Sequence, residues 1–348
     1  MVISRNVHRR ISVKLKVPMI MLLLLTAGTV GTVQASASVP SQTTSAGAAS
    51  SPRSTSPHST SSDNASNDSA AYAAALKSPD WVKTPDGLMW KSCVHALPKG
   101  ARLDGDRAVL ASGVKQAPFG ACPHAHIPVP GQAATAKPAS AQPPSTNGWQ
   151  AYSWWSAPQW LTGIYSTYTV PKAPAAGGST DYFFSSLEDS NGGAIVQPVL
   201  TWGGSSWFIQ SWYVWDDNNK SVTGSAVSVA PGDTIYTGVE AAPCSSNGNC
   251  TWDIYAWDSR TGGETSLQIN AGQPFISAQG GVMEVYGVNG CNQLPANGSM
   301  DFTDISIYGS SFQQVTPSWS VSNNGNDKGY CGVYVDTSAV QTYMPWTP

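Results

Sequence analysis

All five histidines of this 348-residue chain, His8, His58, His95, His124 and His126, lie in its first 126 residues. The stretch after residue 150 has none. A Ser-His-Asp triad, a Cys-His pair and a histidine-ligated zinc are therefore excluded there. Its four cysteines belong to an even set of six that is expected to form disulfides, which removes the thiolate as well. No CxxC pair occurs, so no metal and no other cofactor is implied. Acid–base chemistry in this half must come from carboxylates, helped by amides, hydroxyls or tyrosine.

Two residues stand apart from their surroundings. Glu284 sits inside the apolar run VMEVYGV (282–288), with no Lys or Arg within twenty residues on either side. Gln197 sits inside AIVQPVL (194–200) and is followed at once by Pro198. Side chains alternate between the faces of a strand. Val282, Glu284, Tyr286 and Val288 therefore share one face, as do Ile195, Gln197 and Val199. A proline cannot donate to a ladder, so the Gln197 strand is expected to be an edge or to be interrupted there. A polar residue in mid-strand more often simply faces water. The alternative is that an amide and a carboxylate converge on one concave face. Glu188-Asp189, beside a Gly turn, reads as a surface pair, and Asp216 to Asn219 as a hairpin turn. Trp202, Trp207, Trp212 and Trp215 are dense enough to suggest an aromatic groove for a peptide or a sugar.

The elements that must position these residues are strands. From Trp149 onward, short β-branched and aromatic runs alternate with Gly, Asn, Asp and Pro. Candidates include 164–170, 182–188, 194–200, 207–215, 225–230, 234–240, 251–259, 265–269, 282–288, 301–309 and 332–337. No amphipathic helix is evident. The expected fold is all-β, an antiparallel two-sheet β-sandwich of the concanavalin-like or jelly-roll type.

The domains expected are three. Residues 1–35 read as a secretory signal peptide: Arg5, Arg9, Arg10, Lys14 and Lys16, then the apolar run Val17 to Leu25, then small residues. Residues 36–147 read as a disordered Ser/Thr-rich stretch, a basic region with local structure and one disulfide, and a Pro/Ala linker. Residues 148–348 form the sandwich. No later run is long and apolar enough for a membrane span, so a secreted, extracellular protein is expected. Pairing by proximity gives Cys93–Cys122, Cys244–Cys250 and Cys291–Cys331, one of fifteen connectivities. Residues 36–150 carry nine Lys/Arg against six Asp/Glu, and residues 151–348 carry four against fifteen. An acidic domain of this kind argues against a nucleic-acid partner and is expected to attract the basic segment before it.

Taken in order, NGWQAYSWW, FFSSLEDS, AIVQPVLTW, SWYVWDD, VSVAPGDTI and GGVMEVYGV resemble the eqolisin-type glutamic peptidases, secreted acid endopeptidases built as a β-sandwich. The resemblance covers roughly Trp149 to Gly309. It implies that Gln197 and Glu284 are a catalytic dyad acting on a polypeptide; the mature protein is expected to be a monomer. Trp202, Trp212, Trp215, Tyr286 and Glu188 are then candidates for contacting substrate. The sequence departs from the family pattern at Val214 and Thr201, where acidic residues are usual, and at Glu188, where Asp is usual. The resemblance also gives the basic segment a role, as a pro-region covering an acidic groove at neutral pH and released by acid. A carbohydrate-active sandwich with an aromatic groove, either a glycosidase or a glycan-binding module, is the competing expectation. A glycosidase would need a second carboxylate, Glu188 or Asp189, facing Glu284 across the groove.

Overall fold

The structure, a computed structural model, describes residues 70–129, 147–215, 219–323 and 325–348. The expected signal peptide, the Ser/Thr-rich stretch, most of the Pro/Ala linker and the Asp216–Asn218 part of the hairpin turn lie outside these residues. Two large sheets pack face to face. One runs, in order, through Ser320–Val321, Gly148–Ser156, Ser277–Tyr286, Thr180–Glu188, Ala194–Trp202, Trp207–Trp215, Lys220–Thr223 and Val94–Ala96. The other is centred on Ser299–Gly309, Leu161–Thr169, Thr234–Cys244, Cys250–Asp258 and Glu264–Asn270, and ends in Arg102–Asp104, Arg107–Val109 and Lys115–Pro118. The fold is thus the expected all-β sandwich. Pairing is antiparallel throughout residues 148–345, but Val94–Ala96 and Arg102–Asp104 join their sheets in parallel. The 70–129 region is no separate body, since it lends edge strands to both sheets. Of the strand expected at 332–337, Gly332 ends the short 3₁₀ turn Tyr330–Gly332, residues 333–335 are irregular and only the end falls in the strand Asp336–Ser338, while Gly148–Ser156 is a strand that periodicity did not mark.

Burial follows the alternation of the strands. In Cys250–Asp258 every second residue is buried, with Trp252, Ile254 and Ala256 facing the other sheet. The inter-sheet core also holds Phe183, Val196, Leu200, Ile209 and Tyr213 from one sheet, and Ile164, Ile235, Val239, Leu267 and Ile307 from the other. The central strand Ala194–Trp202 differs, because all nine of its residues are buried. Its outer face, with Tyr182, Phe184, Trp212, Val214, Val282 and Tyr286 of its neighbours, is covered by Tyr72, Ala75, Leu88, Met89 and Val129. A second apolar cluster therefore forms outside the sandwich, between its sheet and the 70–129 region.

The Gln197 strand is not an edge. It lies between Thr180–Glu188 and Trp207–Trp215. The other half of the expectation holds, since the ladder to Thr180–Glu188 skips residues 197 and 198 between the pairs Val196↔Leu187 and Val199↔Phe184. All three expected disulfides are present, and no free cysteine occurs among the described residues. No helix among these residues is long and apolar enough to cross a membrane.

Candidate active site

Glu284 and Gln197 reach the same place from strands on either side of Thr180–Glu188. The Glu284 strand carries an irregularity at Gly280-Gly281, where its register to both neighbours shifts. Two glycines are needed there. A Cβ on Gly281 would meet the Phe302 ring at 2.5 Å, and one on Gly280 would meet Ser153, Thr342 and Trp319 at 2.8 Å. Such a bulge bends a strand and re-aims the side chains beyond it.

Both side chains are fully buried, at 0% exposure. What covers them is a turn from the 70–129 region. Trp81–Thr84 and Gly87–Trp90 form a hairpin closed by the pair Thr84↔Gly87, with Pro85 and Asp86 at its tip. Asp86 has φ +116°, a strained value for a residue with a side chain, and Gly87 has φ +127°, a value that glycine adopts freely. The tip reaches the sheet. Gln197 Nε2 donates to the Pro85 carbonyl at 3.1 Å, and the Asp86 N–H donates to Glu284 Oε1 at 3.0 Å. One peptide bond, Pro85–Asp86, thus has its carbonyl on the amide and its nitrogen on the carboxyl group.

Two tyrosines extend this recognition along the backbone. Tyr182 donates to the Lys83 carbonyl at 2.9 Å. The Tyr286 hydroxyl accepts from the Gly87 N–H at 2.7 Å and lies 2.9 Å from the Thr84 carbonyl and 2.6 Å from Glu284 Oε1. Burial pushes the Glu284 carboxyl from its ordinary 4.5 up to about 8, against the opposing pull of hydrogen bonds from Tyr286 and the Asp86 amide. Tyr286 thus has two acceptors within reach of its one proton, the Thr84 carbonyl and Glu284 Oε1. Burial also raises Asp181 well above the usual carboxylate range, with Ser179 and Lys83 opposing.

The candidate residues divide by face. Tyr286 and Trp212 lie with the dyad, and Trp212 stands opposite Gln197 in the register. Trp202 and Trp215 do not line this site. Trp202 packs against Trp207 inside the sandwich, and Trp215 stacks on Tyr213 against the same core. The reason is parity: residues 195, 197 and 199 share one face, so Trp202 takes the other, and Trp215 falls on the opposite face from Trp212. Glu188 is on the dyad face, where it accepts from Gln279 at 2.9 Å. It lies six residues along the strand from Tyr182, the partner of Glu284, or about 20 Å at the usual rise. Paired glycosidase carboxylates are about 5–9.5 Å apart, so Glu188 does not complete such a pair. Asp189 caps its own turn through the amides of Asn191 and Gly193. Sequence reasoning missed Tyr182 and the 84–87 turn. Tyr182 is one aromatic in an aromatic run, and TPDG announces a turn but not where it lands.

No sequence profile of a known family matches the chain, and no curated protein does. Among solved structures it is similar to scytalido-glutamic peptidase with a peptide-based transition state analog, at 15% identity and a TM-score of 0.44. It is similar also to the same peptidase with a transition state analog inhibitor, at 16% and 0.42. A third is SCP-B, a member of the eqolisin family of peptidases, in complex with the tripeptide Ala-Ile-His, at 15% and 0.42. Each likeness covers 58% of this chain and 98% of the other.

Proposed function

We propose that this chain is a secreted acid endopeptidase that hydrolyses polypeptides with Glu284 as general base and acid and Gln197 as oxyanion donor. The observation that carries this reading is the peptide bond between them, with Pro85 C=O on Gln197 Nε2 and Asp86 N–H on Glu284 Oε1. An amide donor at the carbonyl oxygen is where oxyanion stabilisation is needed. A carboxyl group at the nitrogen is where the leaving amine must be protonated.

The steps balance with one water. Ionised Glu284 takes a proton from water as the water oxygen bonds to the carbonyl carbon. Gln197 donates to the oxyanion that forms. The C–N bond then breaks, and Glu284 returns its proton to the departing nitrogen. The products are a carboxylic acid and an amine, and Glu284 is again ionised. No cofactor takes part. Glu284 has to be ionised to begin, so the site must first open to water, which removes the burial that holds its pKa at about 8. We assign residues 36–147 as a pro-region on the same reading, with the mature enzyme a monomer.

The test is hydrolysis of an unfolded protein between pH 2 and 7 by the secreted chain after processing of that region. Gln197→Ala should lower the rate about 100- to 1000-fold, as loss of one oxyanion donor does. Full activity in that variant, with an unchanged circular dichroism spectrum, would remove Gln197 from the mechanism.

A further inference from the structure

The 84–87 turn is bound as a peptide is bound, by its backbone. Three successive carbonyls, of Lys83, Thr84 and Pro85, lie on Tyr182, Tyr286 and Gln197, and two successive amides, of Asp86 and Gly87, lie on Glu284 and Tyr286. Pro85 is itself buried. We propose that this turn is a substrate-like inhibitor carried on the chain, presenting the Pro85–Asp86 bond to the dyad and holding it uncleaved. The inference rests on the peptidase reading and adds to it which residues close the site and how.

Three features separate an inhibitor from a substrate here. The chain reverses at the bond, and the ladder Trp81↔Trp90, Val82↔Met89, Lys83↔Leu88 and Thr84↔Gly87 grips both of its sides. Were the bond cut, its two ends would stay in place, and rejoining would compete with release. Second, Glu284 Oε1 already holds the Asp86 N–H and the Tyr286 hydroxyl, and the residue is closed to solvent. Oε2 makes no hydrogen bond but is buried with it, so an attacking water reaches the carboxyl group only when the cover opens. Third, the turn is braced from behind. His126 Nε2 lies 2.7 Å from the Asp86 carbonyl, Leu88 bridges to Ile127, and Cys93–Cys122 ties the two segments together. An extended polypeptide can enter only when this assembly moves away.

Gly87 gives the handle. A Cβ there would meet His126 Nε2 at 2.3 Å and the Ile127 carbonyl at 2.7 Å, at a φ of +127°. Gly87→Val in the full chain should expel the turn without touching the dyad. Hydrolysis of an unfolded protein by the uncut chain should then rise at least about tenfold over wild type, because rate scales with the fraction of open sites. The double variant Gly87→Val/Glu284→Gln should be silent. Equal hydrolysis by uncut wild type and Gly87→Val would overturn the inhibitor and leave the peptidase standing. Should neither hydrolyse, amide hydrogen exchange of the wild-type chain decides. Asp86 and Gly87 amides exchanging as freely as exposed ones would show the turn outside the site and overturn the inhibitor. Protected amides, with no hydrolysis even after the region is removed, would overturn the peptidase reading and the inhibitor with it.

Discussion

At the scale of single residues, the sign of one pKa shift decides how pH acts on the closed site. Glu284 has a pKa of about 8 under the turn and an ordinary value near 4.5 when exposed. Its contribution to closure is therefore complete below the exposed value and is lost as pH rises through about 8. Acid strengthens closure through this group. This runs against the expectation that protonating groove carboxylates would free the pro-region. Exchange of the Asp86 amide, corrected for its intrinsic rate, should accelerate between pH 5 and pH 8, and Glu284→Gln should flatten that rise. A rise that persists unchanged in the variant would place the responsible group elsewhere. Much of the site was legible at this scale. A carboxylate and an amide that stood out in apolar runs, in a half without histidine, come together on one peptide bond. Tyr182 was not legible, because a hydroxyl that reads a backbone carbonyl looks in sequence like any core tyrosine.

At the scale of elements, the strand period carried the most information. It put Val282, Glu284 and Tyr286 on one face and Ile195, Gln197 and Val199 on another, and both sets meet in one cluster. The same period excludes Trp202 and Trp215, which density of tryptophan alone had favoured. Burial of Ala194–Trp202 on both faces runs against the edge position that Pro198 suggested. What period cannot give is the irregularity at Gly280-Gly281, which resets the alignment just before Glu284. Gly281→Val would drive a side chain into the Phe302 ring. Overpacking of that kind costs about 1–3 kcal/mol. Urea unfolding of the variant should show a lower midpoint at unchanged slope, together with loss of hydrolysis from a misdirected Glu284. An unchanged midpoint would mean the strand passes Phe302 differently.

At the scale of the molecule, the 70–129 region is part of the sandwich as well as its cover. Its strands pair with Lys220–Thr223 and Glu264–Asn270, so its removal bares two sheet edges. Three-residue edge strands leave almost no periodic signal, which is why composition alone could promise local structure there but not this arrangement. The charge asymmetry predicted attraction between a basic cover and an acidic body. The Lys220–Asp106 ion pair at 2.8 Å has the opposite polarity, with the sandwich supplying the cation, while the attraction between Lys83 of the cover and buried Asp181 has the predicted one. The cover is held at the dyad by backbone hydrogen bonds and by the apolar cluster around Leu88, Met89 and Val129. Contacts of that kind are little screened by ions. Exchange of the Asp86 amide should therefore change little between low salt and 1 M salt, where a release of several-fold would restore charge as the main attachment. The central claim is that Glu284 and Gln197 act together on a peptide bond. It is tested most directly by hydrolysis of an unfolded protein by the chain opened at Gly87, with and without Glu284→Gln. Cleavage by the first and none by the second, both folded, is the predicted result, and equal cleavage by both would contradict it.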